Sequence, residues 1–142
     1  MKKYSWKELR KVRDEGEINY FLRHTPEKYR MGFALALAML KWEPGCPDRG
    51  GGSCALCELR DFTSDTCDVI ALNDEGYRPC PLKEADEDRS CSSWGSLWNH
   101  WSGARDSRNL DKKKEFADKL YSVLARLHEK EYRRLKKEVR RA

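Results

Sequence analysis

The sequence predicts a mainly α fold: a small helical domain carrying an irregular, cysteine-rich, metal-binding loop. Three observations predict it. Apolar residues recur at helical spacing within 26–42 and again after residue 110. All six cysteines fall between Cys46 and Cys91. The segment around them, 45–92, contains Gly50-Gly51-Gly52 and many Asp, Ser, Pro and Asn residues, and it shows no sustained helical period. The 142 residues fit a single domain in three parts. Helices occupy 1–44, the cysteine-rich loop 45–92, and a Trp-rich helix and a basic C-terminal helix 93–142.

Each element has a local cause. Ser5-Trp6-Lys7-Glu8 reads as a capping box that opens a short helix ending at Gly16. Ile18, Tyr20, Phe21 and Leu22 predict a second short apolar element. Thr25 suits an N-cap, Pro26 the first helical position, and Glu27 the positive end of the dipole. The helix they open runs over 26–42 and is apolar nearly all round in its later half, as a buried central helix is. Val69 to Leu72 predicts one strand, with Asn73-Asp74-Glu75-Gly76 as the turn after it. Trp94, Leu97, Trp98 and Trp101 mark one face of a helix packed on the central one. Asp111 is the expected cap of the final helix, with Phe116, Leu120, Leu124, Leu127, Leu135 and Val139 as its stripe. Glu131 interrupts that stripe, so the last turns are expected to project beyond the core.

The net charge of +5 is unevenly spread. Residues 1–42 carry +5, 43–92 carry −7, 93–125 carry +2 and 126–142 carry +5. An acidic middle between basic ends suits internal complementarity or an acidic partner. The longest apolar run, Phe33 to Leu40, is too short to cross a bilayer, so no membrane partner is expected. The basic start lacks the apolar stretch of a secretory signal. The expected location is cytoplasmic, where clustered cysteines more often hold metal than form disulfides.

Cys54-Ala55-Leu56-Cys57 is the sharpest motif. Two residues between thiolates let a tight turn place both sulfurs on one metal, about 2.3 Å from zinc. Two more sulfurs must come from the same loop. Cys80 and Cys91 are the first choice, with Cys67 and Cys46 in reserve. Zinc is the expected metal. The alternative is an iron–sulfur cluster, because Cys46-Pro47 and Cys80-Pro81 resemble the Cys-Pro that ends ferredoxin-type runs. His100 is read as structural, and His24 and His128 as surface residues.

The arrangement resembles small uncharacterised cysteine-rich proteins common in bacteriophage and mobile-element genomes. The residues that carry the resemblance are Lys41-Trp42, Cys54-Ala55-Leu56-Cys57, Cys80-Pro81-Leu82, Cys91 and Trp94/Trp98. It covers roughly 28–128. Where that group carries Cys-x-x-Cys-Pro, this chain has Tyr77, which draws attention to Cys67. The resemblance implies a phage-like origin, hence the host cytoplasm, and a metal-binding core. It implies no activity.

Catalytic motifs are absent from the sequence: there is no P-loop, dinucleotide fingerprint, nucleophile elbow or His-Glu-x-x-His. Asp86-Glu87-Asp88 reads as a solvated loop. The expected function is noncatalytic binding of a host or phage protein, not an enzyme. The alternative is nucleic-acid binding by the basic C-terminal helix, through Lys130, Arg133, Arg134, Lys136, Lys137, Arg140 and Arg141.

Overall fold

The computed structural model describes residues 6–12, 14–46, 54–56, 69–73, 76–79, 81–85 and 95–141. Among them the chain is mainly helical, as the sequence predicts. The elements are α1 (Trp6–Leu9), α2 (Glu15–Arg23), α3 (Glu27–Lys41), β1 (Val69–Asn73), β2 (Gly76–Pro79), α4 (Pro81–Ala85), α5 (Leu97–Asp106) and α6 (Leu110–Arg141).

The first helices differ from expectation at their caps. Ser5 lies outside the described residues. The chain does not stay helical to Gly16: α1 ends at Leu9, and Asp14 starts α2 by accepting a hydrogen bond from the Glu17 amide at 2.8 Å. A side-chain carboxylate at an N-cap satisfies an orphan amide, and here that outweighs the stop signal of a glycine two residues on. Thr25 does not cap α3 either. Its buried hydroxyl donates to the Phe21 carbonyl at 2.8 Å, so it closes α2 instead. Arg30 completes that corner. Its Nε donates to the carbonyls of Leu22 at 3.1 Å and Thr25 at 2.9 Å, which ties the end of α2 to the first turns of α3.

Helix α3 is the centre of the core. Met31, Ala34 and every residue from Leu35 to Leu40 are buried. It runs antiparallel to α6, which at 32 residues spans about 48 Å. Ala117, Leu120 and Leu124 of α6 are buried in the same cluster. The expected break of the stripe at Glu131 is not found, although Lys136, Lys137 and Glu138 beyond Leu135 are exposed. Glu131 is only 2% exposed and Leu135 7%, and both lie against Gly32 near the start of α3. The stripe continues through Glu131 because Arg134 covers its carboxylate, with Nη2–Oε1 at 2.5 Å and Nε–Oε1 at 3.1 Å.

A methyl group on Gly32 would meet Leu135 Cδ1 at 3.6 Å and Glu131 Cγ at 3.9 Å, ordinary van der Waals distances. Gly32→Ala is therefore expected to stabilise the fold by about 0.5–1 kcal/mol, the usual gain of alanine over glycine inside a helix. Urea denaturation measures it. A loss of stability would show that α6 sits closer to α3 than these distances state.

Helix α5 opens at buried Ser96, whose hydroxyl accepts from the Asn99 amide at 3.0 Å. As expected, its aromatic face packs inward. Trp101 is 2% exposed and meets Trp42 edge-to-face at 4.9 Å, while Leu97 and Trp98 pack on the same core. Trp94 lies outside the described residues. The joint to α6 is tight. Arg108 adopts φ +58°, the Asn109 amide donates to Ala104 O at 2.9 Å, and the Arg108 amide donates to Arg105 O at 3.1 Å. This is a Schellman closure with arginine at the position that normally favours glycine. Asn109 then caps α6 by accepting from the Lys112 amide at 3.1 Å, two residues before the expected cap, Asp111.

The expected strand is present, and so is a partner that the sequence reading missed. Strands β1 and β2 pair antiparallel, Val69 opposite Pro79 and Ala71 opposite Tyr77. Strand β1 lies against α3 and α4 lies against α6.

Candidate functional site

The cysteine segment is fastened to the core by its apolar residues. Ala55 and Leu56, inside the Cys-x-x-Cys motif, are 1% and 2% exposed. Pro81 and Leu82, after Cys80, are also buried. Ala55, Leu56 and Leu82 belong to the same hydrophobic cluster as α3 and α6. Cys54 is half-buried and packs on that cluster, and Cys46 is half-buried just beyond α3. Cys57, Cys67, Cys80 and Cys91, like the Asp86–Asp88 run, lie outside the described residues. The apolar motif residues that can be seen thus act as anchors, and cysteines stand directly beside Ala55, Leu56 and Pro81. Among the described residues no three His, Cys, Asp or Glu side chains come together as a metal group.

The three histidines have separate environments. His24 is exposed, as expected, and stacks on Tyr20 at 4.0 Å. His100 stacks on Phe116 at 4.8 Å with the rings nearly parallel, which fits its structural reading. His128 is not simply a surface residue. It is half-buried under Trp6, whose ring meets it edge-on at 5.5 Å. Burial pushes its pKa below the usual histidine value, and the Glu129 carboxylate opposes the shift only in part. The unfolded chain therefore binds the proton more readily than the folded one. Stability is expected to fall as pH drops from about 6.5, the ordinary histidine value, through the lower folded value. Denaturation midpoints measured between pH 7.5 and 5 test this. His128→Phe should flatten the fall across that window, and an unchanged slope would overturn the assignment.

Trp6 and Tyr132 are 42% and 41% exposed. Tyr132 is one helical turn beyond His128 on the same side of α6, and Lys136 Nζ lies 4.7 Å over its ring. Trp6, His128 and Tyr132 thus form an aromatic ridge where α1 crosses α6. Arg10 holds α1 in place through a two-pronged ion pair with Glu43, at 2.8 and 3.0 Å.

The cations of the C-terminal helix are not equivalent. Arg134 is engaged by Glu131 and by Glu138, with Nη1–Oε1 at 2.5 Å to the latter, and those carboxylates raise its pKa further. Arg133 pairs with Glu129 at 2.7 Å. Lys136 leans over Tyr132. Arg126, Lys130 and Lys137 are exposed and make no ion pair among the described residues. Arg140 and Arg141 continue the helix, but their side chains lie outside the described part. Sequence reasoning missed Arg126, although its seven-residue spacing from Arg133 was available as a signal.

No family model, curated protein or solved structure matches the chain. No described helix is long and apolar enough to cross a membrane.

Proposed function

We propose that the protein is a noncatalytic binding protein of the phage-like cysteine-rich group. Its 45–92 segment is closed by a metal ion, and it acts on a host or phage protein. The observation that carries the reading is the anchoring of Ala55, Leu56 and Leu82 in one helical core. Ala55, Leu56 and Leu82 fix the segment to the core and β1 lies against α3, and the six cysteines spread along it are the groups suited to cross-link it further. Cys54 and Cys57 would hold the ion, with Cys80 and Cys91 completing the set and Cys67 and Cys46 as reserves. Thiolate donors suit zinc, or an iron–sulfur cluster as the alternative. The ion supplies cross-linking and no reaction. For the protein partner, the Trp6–His128–Tyr132 ridge offers aromatic side chains of the kind that dominate interfaces, with α1 held to the end of α3 by the Arg10–Glu43 ion pair.

Native mass spectrometry with metal analysis of the protein from its own host tests the reading. The expected result is bound metal with a retained protein, and loss of that protein in the Trp6→Ala/Tyr132→Ala variant. A metal-free chain sinks the metal, and a complex indifferent to both substitutions sinks the ridge. After chelation, hydrogen exchange should rise in 45–92 while α3 and α6 stay protected. Uniform loss of protection would mean that the metal holds the whole fold.

A further inference from the structure

The outward face of α6 carries a row of exposed cations. Lys112, Lys119, Arg126, Lys130, Arg133 and Lys137 are all exposed. Their spacings of seven, seven, four, three and four residues keep them on one side of a 3.6-residue helix. That side is opposite Ala117, Leu120, Leu124 and Leu135, which face the core. The row is about 38 Å long at 1.5 Å per residue. Its first part is locally neutralised: Glu115 bridges Lys112 at 3.3 Å and Lys119 at 3.6 Å. Hydrogen bonding from Lys112, then the charges of Lys112 and Lys119, hold the Glu115 carboxyl below its usual pKa. The distal part is not neutralised. Between Arg126 and Lys137 stand Glu129, paired with Arg133, and buried Glu131, held by Arg134, which leaves Arg126, Lys130 and Lys137 without an ion pair among the described residues. Arg126, Lys130, Arg133 and Lys137 line one shallow depression along the helix, together with Glu129, Glu131 and Arg134.

We propose that this distal row binds the phosphate backbone of nucleic acid without reading sequence. Arg126, Lys130 and Lys137 make the contacts, and Arg133 exchanges Glu129 for a phosphate. Arg134 and Lys136 are not part of it. Arg134 is committed to two glutamates, and Lys136 sits over Tyr132 on another side of the helix. A repeating anion matches a repeating cation at four-, three- and four-residue steps, or about 4.5–6 Å. A folded acidic protein offers no such repeat. The row shares no residue with the aromatic ridge or with the cysteine segment, so it goes beyond the reading above and can fail without it.

Fluorescence anisotropy of the full chain with labelled 20-nucleotide duplex DNA and single-stranded RNA tests it, with metal content measured on the same sample. Three to four phosphate contacts predict that affinity for the duplex falls about 40- to 150-fold between 50 and 200 mM salt. Arg126→Gln/Lys130→Gln/Lys137→Gln should reduce affinity at 50 mM salt and remove most of that salt dependence for all sequences alike. Glutamine is nearly as good a helix former as lysine and arginine, so the fold should persist, and circular dichroism verifies it. Lys7→Gln/Lys11→Gln/Lys28→Gln removes the same charge from exposed positions outside α6 and should leave binding within about twofold, its salt slope unchanged. The proposal is overturned by no binding at 50 mM salt or by equal losses in the two variants. It is also overturned if polyglutamate competes as well as unlabelled oligonucleotide, which would make the partner an acidic polypeptide. Chelation should leave binding unchanged. Binding lost with the metal would transfer the contact to the cysteine segment and overturn the assignment to α6.

Discussion

Trp101→Ala should cost about 3–5 kcal/mol, the range for deleting a buried aromatic side chain. For a domain near 150 residues that lowers the melting temperature by roughly 10 °C or more. The size follows from where Trp101 sits. It is 2% exposed, edge-on to Trp42, with the Arg105 guanidinium 5.0 Å and the Lys113 ammonium 6.0 Å from its ring centre. It therefore joins α3, α5 and α6 at one point. Trp101→Phe should cost about 1 kcal/mol or less. The indole Nε1 is buried without a hydrogen-bond partner among the described residues, and phenylalanine removes that orphan donor while keeping most of the packing. Urea denaturation of both variants checks the ordering. A Trp101→Ala loss below about 1 kcal/mol would place the ring at the surface.

Arg134→Leu is expected to destabilise the protein by about 2–3 kcal/mol, although Arg134 itself is partly exposed. The cost belongs to Glu131. Its carboxylate is 2% exposed, and it loses the guanidinium that hydrogen-bonds to both of its oxygens. Taking a hydrogen-bonding cation from a buried charge costs more than the pair contributes. Glu131→Leu should be milder, within about 1 kcal/mol. Leucine extends the apolar stripe onto Gly32, and the arginine that remains can reach solvent and still has Glu138. If the two substitutions cost the same, the carboxylate is not desolvated.

What the sequence reveals here is mostly what adjacent residues decide. The bounds of α3, 26–42 expected and Glu27–Lys41 found, follow from a proline, an acidic first turn and a dense apolar run. Trp101 follows from periodicity. Caps were harder, because Asp14, Thr25 and Asn109 each have a competing signal within two residues. Only geometry decides which hydroxyl or carboxylate reaches an amide. Apolar contacts between helices were legible from the stripes, but polar ones were not. Nothing near Arg30 announces that it closes α2, and nothing near Glu131 announces that Arg134 and Gly32 together make its burial tolerable. The Cys-x-x-Cys motif draws attention to its sulfurs, yet the two residues between them hold it to the core. The partner strand Gly76–Pro79 is short and contains only one strongly β-favouring residue, Tyr77, so pairing was needed to reveal it.

The joint at Ser107-Arg108-Asn109 has a consequence for the order of assembly. It makes α5 and α6 neighbours in sequence as well as in space, so their contacts close loops of few residues. Helix α3 must instead close the whole of 42–109 to reach α6. Closure entropy rises with loop length, so the α5–α6 pair is the natural nucleus and the docking of α3 the later step. A bridge inside 45–92 shortens the loop that α3 has to close. Its benefit would then appear in how fast the three long helices come together, and much less in how firmly they hold once joined.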